Sequence, residues 1–390
     1  MLPAVAENQP PFQNRMSAFS AYSDALRLFI REARQHSVTD SRFNELALRL
    51  FALQFAHVAP YQKFCVARGC LAENVKRWKD IPALPTAAFK EWEITSLLPR
   101  ERTREFHSSG TTHQPRSRHF HNAESLAIYE ASLLPSFEQH VLRAGESTTD
   151  GPAPPNKPFF LMLTPSPAQA IESSLVHMFE TVRREFASDD SAWLGYRAEN
   201  GDWAVDADAG VSALRHAATG NRPVILLGTA FLFVHLLDHL AARDLSFQLT
   251  RGSRVLETGG YKGRSRMVSK EELHGMISKH LGISRIICEY GMSELSSQAY
   301  DSAAGVTGPA GSAVRQFHMP PWARVRIISP ETGTEVQPGE TGLVQIFDLA
   351  NVRSVAAIQT EDLAVRGTGG FALVGRAERS EARGCSLMTP

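Results

Sequence analysis

Through the first hundred residues, apolar side chains recur every three or four positions. Phe43, Leu46, Ala47, Leu50, Phe51 and Phe55 share one face, with charges between them, which predicts an amphipathic helix. The segment from Asp80 to Trp92, DIPALPTAAFKEW, breaks that period with prolines and reads as a connection. A strand-like edge and a polar Gly-containing segment follow, then a helical stretch from Glu124 to Leu142. Arg143 to Pro158 is rich in Gly, Pro, Ser and Thr and reads as an exposed loop.

Beyond the loop, short apolar runs alternate with helical periods. Phe159 to Thr164 precedes a helix at about Ala168 to Phe186; Val224 to Leu227 precedes a helix reaching Ala242, with Thr229 as its cap. Ser253 to Thr258 leads through GGYKGR to a helix at Ser269 to Leu281, and Arg285 to Tyr290 forms the next run. Such alternation predicts an α/β fold of mostly parallel sheets with flanking helices. From about Pro321 the pattern becomes short strands between Gly and Pro turns. The expected division is an α/β core with a helical N-terminal region over residues 1–320, then a small β subdomain and tail over 321–390.

Composition narrows the function. Hydrophobic residues are 43% and charged residues 21%, a globular balance, and the formal net charge of +0 argues against a nucleic-acid partner. The most apolar stretch, Pro223 to Ala242, is broken by Gly228, Thr229, His235, Asp238 and His239, so no membrane-spanning segment is expected. The N-terminus lacks a basic segment followed by an apolar run, and the four cysteines are scattered; both features lead to the expectation of a cytoplasmic protein. Cys65 and Cys70 have no second Cys/His pair nearby and are not expected to bind zinc.

Three segments carry candidate chemistry. In HSSGTTHQPR, His107 to Arg116, the hydroxyls of Ser108, Ser109, Thr111 and Thr112 flank Gly110, with Arg116 beyond. Glycine lets successive N–H groups turn toward one point, and such a nest with hydroxyl donors suits phosphate oxygens, although a polar turn reads equally well. EYGMSE, Glu289 to Glu294, follows an apolar strand, and ligands of open α/β sheets sit beyond the carboxyl ends of strands. There Tyr290 suits stacking on a flat base and Glu294 suits Mg²⁺, a strand-ending aromatic and a solvated acid being the plainer alternative. Asp362 and Arg376, fourteen positions apart, suit a ribose diol and its flanking phosphate, or a simple surface ion pair.

In this order and spacing the segments resemble the superfamily of adenylate-forming enzymes. SSGTTHQPR is similar to its phosphate loop, and Tyr290, Gly291, Ser293 and Glu294 stand in its Tyr-Gly-x-Ser/Thr-Glu motif. TED, ending in Asp362, and GRAE, containing Arg376, stand where the family has Thr-Gly-Asp and Gly-Arg-x-Asp. Within the superfamily, HSSGTT, LETGGYKGRS and a near-terminal RGCSL resemble the acyl-protein synthetases of LuxE type.

The resemblance implies ATP- and Mg²⁺-dependent activation of a carboxylic acid, a fatty acid in that family, as its acyl-adenylate, followed by transfer to the thiol of Cys385 or to a partner protein. A reductase partner is implied in the same way. Residues 108–112 and Arg116 would bind the β- and γ-phosphates, Tyr290 with Gly259 and Gly260 the adenine, Asp362 and Arg376 the ribose, and Glu294 the Mg²⁺. His113 and Arg116 depart from the family's Gly and Lys. Fourteen residues follow Arg376, whereas most relatives carry a further C-terminal domain with a Lys that steers the reaction; Lys262 or Arg264 would supply that charge. An acyl- or aryl-CoA ligase completed by a separate C-terminal partner, and a non-catalytic acyl- or nucleotide-binding protein, are the alternatives. His107, His113, His119 and His121 follow no common metal spacing and read as loop histidines or substrate contacts. Cys288 reads as inert core, and Phe231, Phe233, Leu236 and Leu237 as core packing with one side able to line an acyl pocket.

Overall fold

The computed structural model describes residues 12–109, 115–143, 157–220, 222–261, 265–301 and 315–376. They form an α/β fold around one 12-stranded sheet. In half of it the strands Ile286–Tyr290, Arg254–Thr258, Val224–Thr229, Phe159–Met162 and Ala192–Trp193 pair side by side, all parallel. The sheet is therefore mixed, since beyond Tyr290 its main path turns antiparallel, with Leu84–Pro85 lying parallel beside Ala357–Arg366. Ala299–Asp301 and Phe317–His318 lead to Phe371–Arg376, Ala357–Arg366, Thr341–Asp348 and Ala323–Ile328. The expected boundary at 320/321 falls between Phe317–His318 and Ala323–Ile328, two strands of this same sheet.

Residue parity explains why the parallel half is buried on both faces. Phe159, Leu161, Val224, Leu226, Val255 and Ile286 pack to one side, against the helices Ala207–Thr219, Ala230–Ala242 and Lys270–Leu281. Their neighbours Phe160, Met162, Ile225, Leu227, Leu256 and Ile287 pack to the other, against Ala123–Phe137 and Ser174–Phe186. Successive strand residues alternate faces, so near-continuous apolar runs signal a sheet covered twice.

The sequence-predicted helix at Ala168 starts later, at Ser174, because the Ser173 hydroxyl accepts from the Val176 amide at 3.2 Å and caps it there. Thr229 occupies the expected cap position but makes no side-chain cap bond. The helix Asp40–His57 buries Phe43, Leu46, Ala47, Leu50 and Phe51 as its periodicity predicts. It packs in one apolar cluster with the antiparallel strands through Ile346, Phe347, Ile358 and Phe371. Gln54 on that helix is buried as well, and it donates to the Asn351 carbonyl at 2.7 Å and accepts from the Ala356 amide at 2.9 Å.

Candidate nucleotide-binding site

The strands Arg104–His107 and Arg118–His121 pair antiparallel, with His107 opposite Arg118, and carry the Ser108–Arg116 segment between them. At its base the Ser108 amide donates to the Ser117 carbonyl at 3.1 Å, and the Ser117 amide to the Ser108 hydroxyl at 2.9 Å. Ser109 and Arg116 are exposed. Gly110, Thr111, Thr112 and His113 lie outside the described residues, as do Lys262, Arg264 and Cys385.

Strand period 2 turns His119 and His121 inward, which corrects their reading as loop histidines; both are buried. His119 Nδ1 donates to the Ser293 carbonyl at 2.7 Å, bringing the first motif to the second. Burial lowers the His119 imidazole to about 4, with the Ser293 bond opposing. Burial, then the charges of His119 and His177, push His121 down as well.

Glu294, adjacent to Ser293, is 5% exposed. One carboxylate oxygen accepts the Ser293 hydroxyl at 2.9 Å, and no partner for the other is found among the described residues. A hard, pre-positioned carboxylate oxygen of this kind fits Mg²⁺. Its backbone is held from the antiparallel half of the sheet. Asn351 Nδ2 donates to the Glu294 carbonyl at 2.8 Å, while Asp348 accepts from the Ser296 amide and the Ser297 hydroxyl at 2.9 and 2.7 Å. Burial raises the Asp348 carboxyl, and these bonds oppose it.

The second and third motifs also meet. The Tyr290 hydroxyl donates to Asp362 Oδ2 at 2.8 Å, and Arg376 Nε to Asp362 Oδ1 at 2.8 Å. Asp362 and Arg376 are directly opposed in register, so cross-strand pairing explains their spacing. Each Asp362 oxygen retains a second lone pair for a ligand hydroxyl. The Tyr290 ring, 8% exposed, packs at 5.9 and 5.6 Å from Phe317 and Phe371. Burial, then Asp362, raises its phenol well above its ordinary value. Glu289 pairs with Thr258, which puts Tyr290 beside Gly259 at the carboxyl ends of the two strands. Gly259 turns there at φ +66°, a left-handed angle that favours glycine.

Sequence reading alone missed His119, Asp348 and Asn351 as supports. The alternation His119-Phe120-His121 is the one available signal, as it fits a strand. Cys288 is buried as expected, but beside Glu257 and His274 rather than among apolar groups alone. Burial and then Glu257 raise its thiol far above the ordinary range, which disfavours the thiolate an acyl acceptor needs.

The family described as acyl-protein synthetase, LuxE, matches residues 196–389. Over just under half of its length the chain is therefore similar to the acyl-protein synthetases of LuxE type. It is similar to the long-chain-fatty-acid–luciferin-component ligase of Aliivibrio fischeri, 20% identical over 165 residues that cover 41% of this chain and 41% of that relative. The match thus spans well under half of the curated relative's length. Among solved structures it resembles a 2-hydroxyisobutyryl-CoA ligase in the postadenylation state, in complex with 2-HIB-AMP. The TM-score is 0.61 at 11% identity, over 88% of this chain and 70% of that one. An open conformation of that ligase with 2-HIB-AMP and CoA gives 0.60 at 12% identity, over 88% and 77%. At these identities the likeness concerns the fold, which this chain shares with the ligase. Among the described residues, no helix is long and apolar enough to cross a membrane.

Proposed function

We propose that this chain activates a carboxylic acid, a fatty acid by kinship, with ATP and Mg²⁺ as its acyl-adenylate, and passes the acyl group to Cys385 or to a partner protein. The observation that carries the reading is the 2.7 Å bond from His119 to the Ser293 carbonyl, because it ties the strand leaving the phosphate segment to the residue preceding Glu294.

In adenylation a carboxylate oxygen attacks the α-phosphorus of ATP and pyrophosphate leaves. Both reactants are anions, so the protein must align them and offset their charge. Ser108, Ser109, Gly110, Thr111, Thr112 and Arg116 hold the β- and γ-phosphates. Tyr290 and the Gly259–Gly260 turn flank the adenine, and Asp362 with Arg376 takes the ribose hydroxyls. Lys262 or Arg264 supplies a further positive charge. Glu294 holds Mg²⁺, which when bound offsets phosphate charge. In the second step the Cys385 thiolate attacks the acyl carbonyl, a thioester forms and AMP leaves.

Intact-mass measurement after incubation with ATP, Mg²⁺ and a panel of acids tests the reading. The expected result is a mass gain of one acyl group less water, largest with long-chain acids and absent in Cys385→Ser, which still makes acyl-adenylate. A thioester on free CoA without protein labelling would assign the chain as a CoA ligase instead. ATP binding without acyl-adenylate from any acid would leave a non-catalytic binding protein.

A further inference from the structure

Among the described residues, one group of three side chains brings metal-ligating atoms together: Glu257, His274 and Cys288, within 4.8 Å of one another. None of the three is assigned to the nucleotide, although Glu257 lies in the LETGGYKGRS segment. Cys288 and Glu257 are opposed in register on adjacent parallel strands, so both point to the same face. His274 reaches that face from the covering helix Lys270–Leu281. Cys288 Sγ lies 3.1 Å from Glu257 Oε2 and 3.9 Å from His274 Nε2, and His274 Nε2 lies 3.6 Å from Glu257 Oε2.

We propose that these three residues bind one zinc-class divalent cation. Bonds of about 2.0–2.3 Å in tetrahedral coordination separate neighbouring ligand atoms by roughly 3.3–3.8 Å, and the three observed separations cluster around that span. The set mixes thiolate, imidazole and carboxylate, which suits zinc better than the all-oxygen preference of Mg²⁺. Charge agrees: a divalent cation with one thiolate, one carboxylate and a neutral imidazole is electrically neutral, the form that burial tolerates best. Coordination forms the metal–sulfur bond and releases the Cys288 thiol proton to solvent.

The surroundings hold the ligands in place. The Cys288 amide donates to Asp301 Oδ1 at 2.7 Å, and Arg315 pairs with Asp301 Oδ2 at 2.6 Å. Such outer contacts orient metal ligands. Cys288 and Glu257 are buried, while His274 is partly exposed and marks the way in. The ammonium of Lys270, one helical turn before His274, interacts with both Cys288 and Glu257 and is the cation that the metal displaces. Three protein ligands leave one tetrahedral position for water or another donor.

The test loads the full chain with Zn²⁺ or Co²⁺ alone, without nucleotide or acid, so its outcome is independent of the adenylation reading. Expected are one tightly held Zn²⁺ per chain and a thiolate-to-cobalt charge-transfer band with Co²⁺. Both should persist in Cys385→Ser and disappear in Cys288→Ser. His274→Ala, a change at a partly exposed position, should weaken Zn²⁺ at least about a hundredfold and abolish the rise in Tm that Zn²⁺ gives the wild type. Wild-type protein holding well short of one Zn²⁺, or His274→Ala and Cys288→Ser holding it as tightly as the wild type, would overturn the proposal.

Discussion

The Tyr290 hydroxyl lies 2.8 Å from Asp362 Oδ2, joining residues 72 positions apart at the seam between the parallel and antiparallel halves of the sheet. Tyr290 ends a parallel strand, and Asp362 sits on an antiparallel one, directly opposite Arg376. The site proposed for the nucleoside is therefore built across that seam.

Asp362→Asn keeps the size of the side chain but removes its charge. Hydrogen bonds to charged groups contribute about 1.5–3 kcal/mol, so the KM for ATP should rise roughly 10- to 100-fold. The KM for the acid should barely move. Steady-state kinetics with each substrate varied separately checks this; equal effects on both would remove Asp362 from the ribose.

Glu294→Ala should lower acid-dependent ATP–pyrophosphate exchange by at least about a hundredfold. The variant should remain folded, because the backbone of residue 294 is held through Asn351. Exchange at the wild-type rate would detach this carboxylate from the metal.

Glu289 supplies a pH dependence. Its buried carboxyl is raised from an ordinary 4.5 to about 7, by burial first, with Thr258 opposing and Glu257 adding. A carboxyl raised by folding contributes stability that is full below its unfolded value and is lost as pH rises through the folded one. Relative to Glu289→Gln, the wild type should therefore lose stability between pH 4.5 and about 7, by at most about 3 kcal/mol. Urea denaturation of both proteins across that range reads the difference; parallel curves would contradict it.

Gln54→Ala strips partners from three buried backbone groups, the Asn351 and Val352 carbonyls and the Ala356 amide. An unsatisfied buried group costs about 1–3 kcal/mol, so destabilisation of about 2–5 kcal/mol is expected in denaturant titration. Because Asn351 holds the Glu294 backbone, pyrophosphate exchange should also fall below that of an equally destabilised core variant such as Leu46→Ala.

The sequence made the local elements legible and left their union hidden. Apolar runs at Phe159, Val224, Arg254 and Ile286 announced buried strands, because a doubly covered strand must be apolar at both parities. The antiparallel strands gave equally good local signals. Their joining to the same sheet rests on the short pairings of Ala299–Asp301 and Phe317–His318, too brief to leave a periodic signature. Site residues with distinctive chemistry, such as Glu294 and Asp362, stood out. Asp348, Asn351 and Gln54 did not, since their work is to satisfy backbone groups brought close only by folding. Cys288 was misleading because its strand is apolar, while its polar neighbours come from an adjacent strand and a helix.

A nucleoside site proposed to span two halves of one sheet constrains how such proteins exchange parts. A chimera joined between Asp301 and Phe317 would take the Tyr290 phenol from one parent and the Asp362 carboxylate from the other. The phenol–carboxylate contact would then depend on two strand edges that had never been selected together. Crossovers that preserve nucleotide recognition should fall outside the interval from Gly259 to Arg376, so that this stretch is inherited as one block.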